Sequence, residues 1–126
     1  MRKKKIYVAD DDSDILEVLK QILEINDYEV ETSINGLSLM DENHPNPDLI
    51  LLDILMPDTD GRDICRAIKT SVTTNSTPVI MMSAFSDLST IIFDTKADDF
   101  ITKPFEISEL ITKIRKHLNQ EVKIYN

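Results

Sequence analysis

Four consecutive apolar residues, Leu49-Ile50-Leu51-Leu52, run into an acid, Asp53, with Ile54 beyond it. A strand with one wet face alternates apolar and polar residues. A strand apolar without a break is covered on both faces, as a central strand of a parallel sheet is. The rest of the chain agrees with that constraint. Ile6–Ala9, Tyr28–Ser33, Pro78–Ala84 and Asp99–Thr102 read as further strands. Stretches of helical period fall between them. Ile15, Leu16, Val18, Leu19, Ile22, Leu23 and Ile25 form one stripe, with Asp12 placed as its N-cap. Leu37–Glu42 reads as a short helix before the breaker "HPNP", Asp63–Thr70 as a helix and Asp87–Thr95 as a weaker one. Ile107, Leu110, Ile111, Ile114 and Leu118 mark the last helix. The pattern βαβαβαβαβα predicts a doubly wound five-stranded parallel sheet with helices on both faces, in the order 2-1-3-4-5.

That order decides where chemistry can occur. In an open parallel sheet, sites form outside the carboxyl ends of the strands, where the order reverses. Strand one ends in Asp10 and Asp11, strand three in Asp53 and strand four in Ser83, and strand five runs into Lys103-Pro104. Three carboxylates that meet at one edge repel and raise one another's pKa, and a hard divalent cation relieves this. Mg²⁺ (or Mn²⁺) also favours phosphate oxygens, so the set forms a phosphoryl cradle. In it the Asp53 carboxylate can act as a nucleophile while Lys103 neutralises charge and Ser83 hydrogen-bonds the arriving group.

Composition removes competing classes. With 126 residues the chain suits one domain and one core. A net charge of −9 disfavours broad attraction to nucleic acid or an acidic membrane. No apolar run approaches the ~20 residues that span a bilayer. The single cysteine, Cys65, excludes an internal disulfide and fits a reducing cytoplasm. Two glycines, Gly36 and Gly61, leave no room for a GxGxxG or Walker A loop. The basic run Arg2–Lys5 reads as a solvated flank, Asp58 and Asp60 as turn formers, and His44 and His117 as structural or solvated.

The segments "YVADDDSDIL", "LILLDILMPDTDG", "VIMMSA" and "FITKPF" closely resemble the receiver domain of two-component response regulators, over nearly the whole chain. The resemblance implies a flavodoxin-like fold over residues 1–126, a single domain with no output domain in this chain. It implies a cytoplasmic phosphorelay switch rather than an enzyme. Asp53 is then the phosphoacceptor, and Asp10, Asp11, Asp53 and the Leu55 carbonyl hold the metal. Ser83 is the switch hydroxyl, Lys103 contacts phosphate, Lys103-Pro104 is cis, and Phe100 is the aromatic that moves with Ser83, with plain core packing as its alternative. The donor is a phosphohistidine on a sensor kinase or phosphotransfer protein. The output face is the fourth helix, fifth strand and fifth helix, meeting an unknown downstream protein, without direct nucleic-acid or membrane contact and with room for a phosphorylation-dependent dimer.

Departures from the family pattern carry expectations of their own. Lys96 stands where glycine is usual, so either a non-glycine residue is strained there or the turn differs. Ser83 to Phe100 is about two residues short of the family spacing, which predicts a short or irregular fourth helix. Leu55 and Phe85 are apolar at positions where polar side chains can orient a hydrolytic water, which predicts slow self-dephosphorylation. Two rival readings are a haloacid-dehalogenase-like phosphatase and a receiver fold that no longer cycles. The first wants a second acid two residues after the nucleophile, where this chain has Leu55.

Overall fold

The computed structural model describes residues 2–84 and 94–120. β1 (Lys5–Ala9), β2 (Glu29–Ser33), β3 (Leu49–Asp53), β6 (Val79–Ser83) and β7 (Asp99–Thr102) form one parallel sheet in the order β2-β1-β3-β6-β7. With the short ribbon β4 (Leu55–Met56) and β5 (Thr59–Asp60) set aside, this is the predicted 2-1-3-4-5 order. β3 is buried at all five positions. Leu49 and Leu51 face a core shared with Leu16, Leu19 and Leu23 of α1 (Ser13–Ile25) and Leu110 and Ile114 of α3 (Ile107–His117). Ile50 and Leu52 face the opposite core, with Ile64, Cys65 and Ile68 of α2 (Gly61–Thr70). The unbroken apolar run is thus divided residue by residue between two helical layers.

Local chemistry sets the ends of α1. The Asp12 carboxylate accepts from the Asp14 and Ile15 N–H groups. At the other end Asp27 takes φ 73. The Tyr28 and Asp27 N–H groups then close on the Leu23 and Glu24 carbonyls, at 3.1 and 3.0 Å.

Two elements differ from expectation. The short helix expected at Leu37–Glu42 is one turn of 3₁₀-helix, Leu37–Met40, entered through Gly36 at φ 72. Leu37 and Met40 stay exposed and only Leu39 packs on the core, too little apolar surface to extend it. The expected loop "MPDTDG" contains a hairpin, β4 against β5, turning through Pro57 and through Asp58 at φ 62. Proline followed by a left-handed residue is the chemistry of a tight turn. α2 accordingly starts at Gly61 instead of Asp63. Of the expected fourth helix, Asp94 and Thr95 are helical, and 87–93 lie outside the described residues.

Candidate functional site

β1, β3, β6 and β7 end together, and the chain leaves each strand with a polar residue. Asp10 follows β1 and is fully buried. Its Oδ1 accepts the Asp12 N–H at 2.9 Å and its Oδ2 accepts Lys103 Nζ at 2.6 Å. Asp53 closes β3 and is 8% exposed. Lys103 Nζ reaches its Oδ2 at 3.4 Å. Asp11 is exposed to water. Asp10, Asp11 and Asp53 each present a carboxylate oxygen within 4.8 Å of the other two.

The charges are unevenly balanced. Burial raises the Asp53 pKa, and the negative charges of Asp10 and Asp11 push it the same way. Lys103 offsets only part of this. Burial alone lowers the Lys103 ammonium, but its hydrogen bond to Asp10 and the charges of Asp10 and Asp53 win, and its pKa is raised. Lys103 therefore stays charged. Three converging hard oxygen donors, one of them open to water, fit a divalent cation such as Mg²⁺, whose charge relieves the repulsion acting on Asp53.

The remaining predicted residues fall around this cluster. Ser83 ends β6, buried, and its carbonyl accepts the Lys103 N–H at 2.8 Å. Asp53 pairs in register with Met82, one residue before Ser83. Phe100 pairs with Met81 and packs, partly buried, against the α2-side core. The Lys103-Pro104 bond is cis. Leu55 is 57% exposed in β4. Phe85 lies outside the described residues. Lys96 takes φ 62, the left-handed backbone, in a non-glycine residue.

Residues expected to be structural are so placed. The Asp60 carboxylate caps α2 through the Arg62 N–H and holds the Arg62 guanidinium in a fork of 2.6–3.1 Å. Those hydrogen bonds keep its pKa below the usual carboxylate range. His44 Nε2 lies 2.8 Å from Glu31, and its ring meets Tyr7 edge-on. His117 Nε2 lies 2.8 Å from Asp99. Burial pushes the Cys65 thiol up to about 11. The basic flank is only partly solvated: Lys5 pairs with Glu31 at 3.2 Å and Arg2 with Asp48 at 3.4 Å.

One feature escaped the sequence reading. An apolar groove of about 510 Å³ lies beside Lys103, lined by Ile15, Val18, Leu19, Pro104, Phe105 and Ile107. Its trace in the sequence is the width of the α1 stripe. Val18 belongs to that stripe yet is 53% exposed.

Comparisons with known proteins point to one family. The model of the response regulator receiver domain matches residues 6–115. The chain is 39% identical to a probable transcriptional regulator ycf27 from Galdieria sulphuraria, over 98% of this chain and 49% of the relative. It is 39% identical to the nisin biosynthesis regulatory protein NisR of Lactococcus lactis subsp. lactis, over 93% and 51%. It is 32% identical to the DNA-binding dual master transcriptional regulator RpaA of Synechocystis, over 95% and 51%. The chain thus spans about half the length of these relatives. The DNA-binding name of RpaA runs against the expectation of no direct nucleic-acid contact for a protein of that length. Among solved structures, a putative response regulator from Chloroflexus aurantiacus superposes with a TM-score of 0.85 at 29% identity, covering 94% of this chain and all of that one. TrrA from Thermotoga maritima, in complex with Mg²⁺ and BeF, superposes with a TM-score of 0.79 at 32% identity, covering 90% and 98%.

Proposed function

The chain belongs to the response regulator receiver family, whose function is phosphorylation-dependent signalling in two-component systems, and we propose that its phosphoacceptor is Asp53. The convergence of Asp53 with Asp10, Asp11 and Lys103 at the ends of β3, β1 and β7 carries the reading. A carboxylate oxygen of Asp53 attacks the phosphorus of a phosphohistidine on a sensor kinase or phosphotransfer protein. The P–N bond breaks, its electron pair stays on the imidazole nitrogen, and an acyl phosphate forms on Asp53. Asp10, Asp11, Asp53 and the Leu55 carbonyl would hold Mg²⁺, which when bound neutralises charge on the transferring oxygens. Lys103 supplies the fixed positive charge of the cradle. The groove beside it offers the protein donor an apolar seat next to Lys103.

Ser83 then hydrogen-bonds the new phosphoryl group, and Phe100 turns inward as Ser83 moves. The ligand drives this by contacts made only in the active arrangement. The exposed Leu55 side chain gives water no polar help, so the acyl phosphate is long-lived, and the domain is a switch rather than a turnover enzyme. Its setting is the cytoplasm, its target an unidentified downstream protein, and a phosphorylation-dependent dimer is compatible with the same switch. In a longer protein, DNA binding would fall to a part outside this acidic domain.

Labelling with a small acyl-phosphate donor in Mg²⁺ tests the assignment. Wild type takes one label and Asp53→Asn takes none. Label persisting at another residue in the variant would sink it.

A further inference from the structure

Gly61 opens α2 without a left-handed φ; among the described glycines only Gly36 has one. What Gly61 supplies is therefore space. A Cβ built on it would lie 2.0 Å from the carbonyl oxygen of Asp53, 3.0 Å from the carbonyl carbon and 3.1 Å from Ile54 Cα. Its N–H donates to the Ile54 carbonyl at 2.8 Å. Gly61 thus bonds the Ile54 carbonyl and, by lacking a Cβ, leaves room for the Asp53 carbonyl just before it. The neighbouring residues close the frame. Leu55 pairs with Asp60 across the hairpin, and Asp60 is locked by the Arg62 fork and the α2 cap.

From this contact we infer that Gly61 is a positioning residue for phosphoryl transfer, setting the Asp53 carboxylate by direct backbone contact. The inference rests on the reading of Asp53 as phosphoacceptor. With a side chain at position 61, the contact must open by about 1.4 Å to move from 2.0 Å to the 3.4 Å of ordinary packing. Both atoms that would meet are close to main chain, so no flexible side chain can absorb the change. Lys103 meets the Asp53 oxygen at 3.4 Å, already long for a hydrogen bond, and its partners Asp10 and Asp11 lie within 4.8 Å. A displacement of roughly 1 Å at a reacting group is enough to cost about 100-fold in rate.

Gly61→Ala tests this beside wild type and Leu23→Ala, a core change at the far end of α1 from the site. Far-UV circular dichroism selects a temperature at which each protein is folded. Calorimetry then gives Mg²⁺ affinity, and an acyl-phosphate donor gives the labelling rate at saturating Mg²⁺. Gly61→Ala is expected to weaken Mg²⁺ binding at least ~10-fold and slow labelling about 100-fold. Leu23→Ala loses melting temperature but keeps the wild-type Mg²⁺ midpoint. A folded Gly61→Ala with wild-type affinity and rate overturns the inference alone. A wild type that neither binds Mg²⁺ nor takes label overturns the site reading and the inference together. If Gly61→Ala does not fold, an NMR titration of wild type with Mg²⁺ decides. The Gly61 amide must shift with the same midpoint as the Asp11 amide, and a stationary Gly61 amide overturns the inference.

Discussion

Replacing Asp53 with Asn removes one charge from a crowded site, and the structure allows the stability change to be worked out. At an effective dielectric near 20, attraction between Lys103 and Asp53 at 3.4 Å amounts to about 5 kcal/mol. Repulsion from Asp10, at no more than 4.8 Å, is at least ~3.5 kcal/mol on the same scale. Asp11 is exposed, so its repulsion is screened to about 1 kcal/mol. Attraction and repulsion nearly cancel, which leaves the burial of the carboxylate to decide the sign. That cost is on the order of 1–3 kcal/mol for a group with few hydrogen bonds. Asp53→Asn should therefore be more stable than wild type by roughly 1–3 kcal/mol at pH 7 in a chelator. The pH dependence follows from the raised Asp53 pKa. Ionisation costs stability only once pH rises above the unfolded value, and the cost is complete above the folded value. The variant's advantage thus shrinks as pH falls through the raised folded value and vanishes in acid, where wild-type Asp53 is protonated in both states. Excess Mg²⁺ should also shrink it, because the metal stabilises wild type by about 2.7 kcal/mol at 100 times its Kd and the variant has lost a ligand. Urea unfolding at pH 7 and in acid, with chelator and with Mg²⁺, measures each case. A variant less stable than wild type in chelator, or an advantage undiminished in acid, would refute the reasoning.

Two further outcomes are expected. Leu55→Asn combined with Phe85→Glu should shorten the acyl-phosphate lifetime at least ~10-fold by giving water a polar partner; a release assay after donor removal reads it, and an unchanged rate refutes the shielding argument. Lys96→Gly should stabilise by about 0.5–1 kcal/mol, since relief of a left-handed lysine (~1–2 kcal/mol) exceeds the added chain entropy of glycine. Lys96→Ala should gain nothing in the same urea titration, and a less stable Lys96→Gly would mean that the φ of 62 carries no strain.

The parallel sheet was legible because its strands are short apolar runs, and burial on both faces erases alternation. Asp10, Asp53 and Lys103 were legible as a cluster because strand order alone brings strand ends together. Features built on spacing rather than type were not. A hairpin of two-residue strands has no period to detect, so β4 and β5 read as loop. The pairs His44–Glu31 and His117–Asp99 join residues 13 and 18 apart, across elements whose facing only the fold defines. Gly61 could be read as a turn signal, but the room it leaves for the Asp53 carbonyl, where a Cβ would lie only 2.0 Å away, is a fact of packing. Lys96 shows the opposite case. Sequence located the unusual turn, and the backbone takes the left-handed form without the usual glycine.

Asp53 is set apart from its two neighbouring acids by how a single ammonium is shared. Asp10 is fully buried and cannot be relieved by water, so it takes Lys103 at 2.6 Å and the Asp12 N–H at 2.9 Å. Asp11 is exposed and solvated. Asp53 is buried like Asp10, yet Lys103 reaches it only at 3.4 Å, and its pKa is raised. It is the acid with the most to gain from a new partner. A carboxylate in that condition is a better nucleophile than one already hydrogen-bonded twice, because less must be broken before it attacks. Burial without full compensation is destabilising, and here it falls on the carboxylate proposed as phosphoacceptor. The same imbalance underlies the stability gain expected on removing the Asp53 charge, so one cause would account for both the cost of the site and its proposed chemistry.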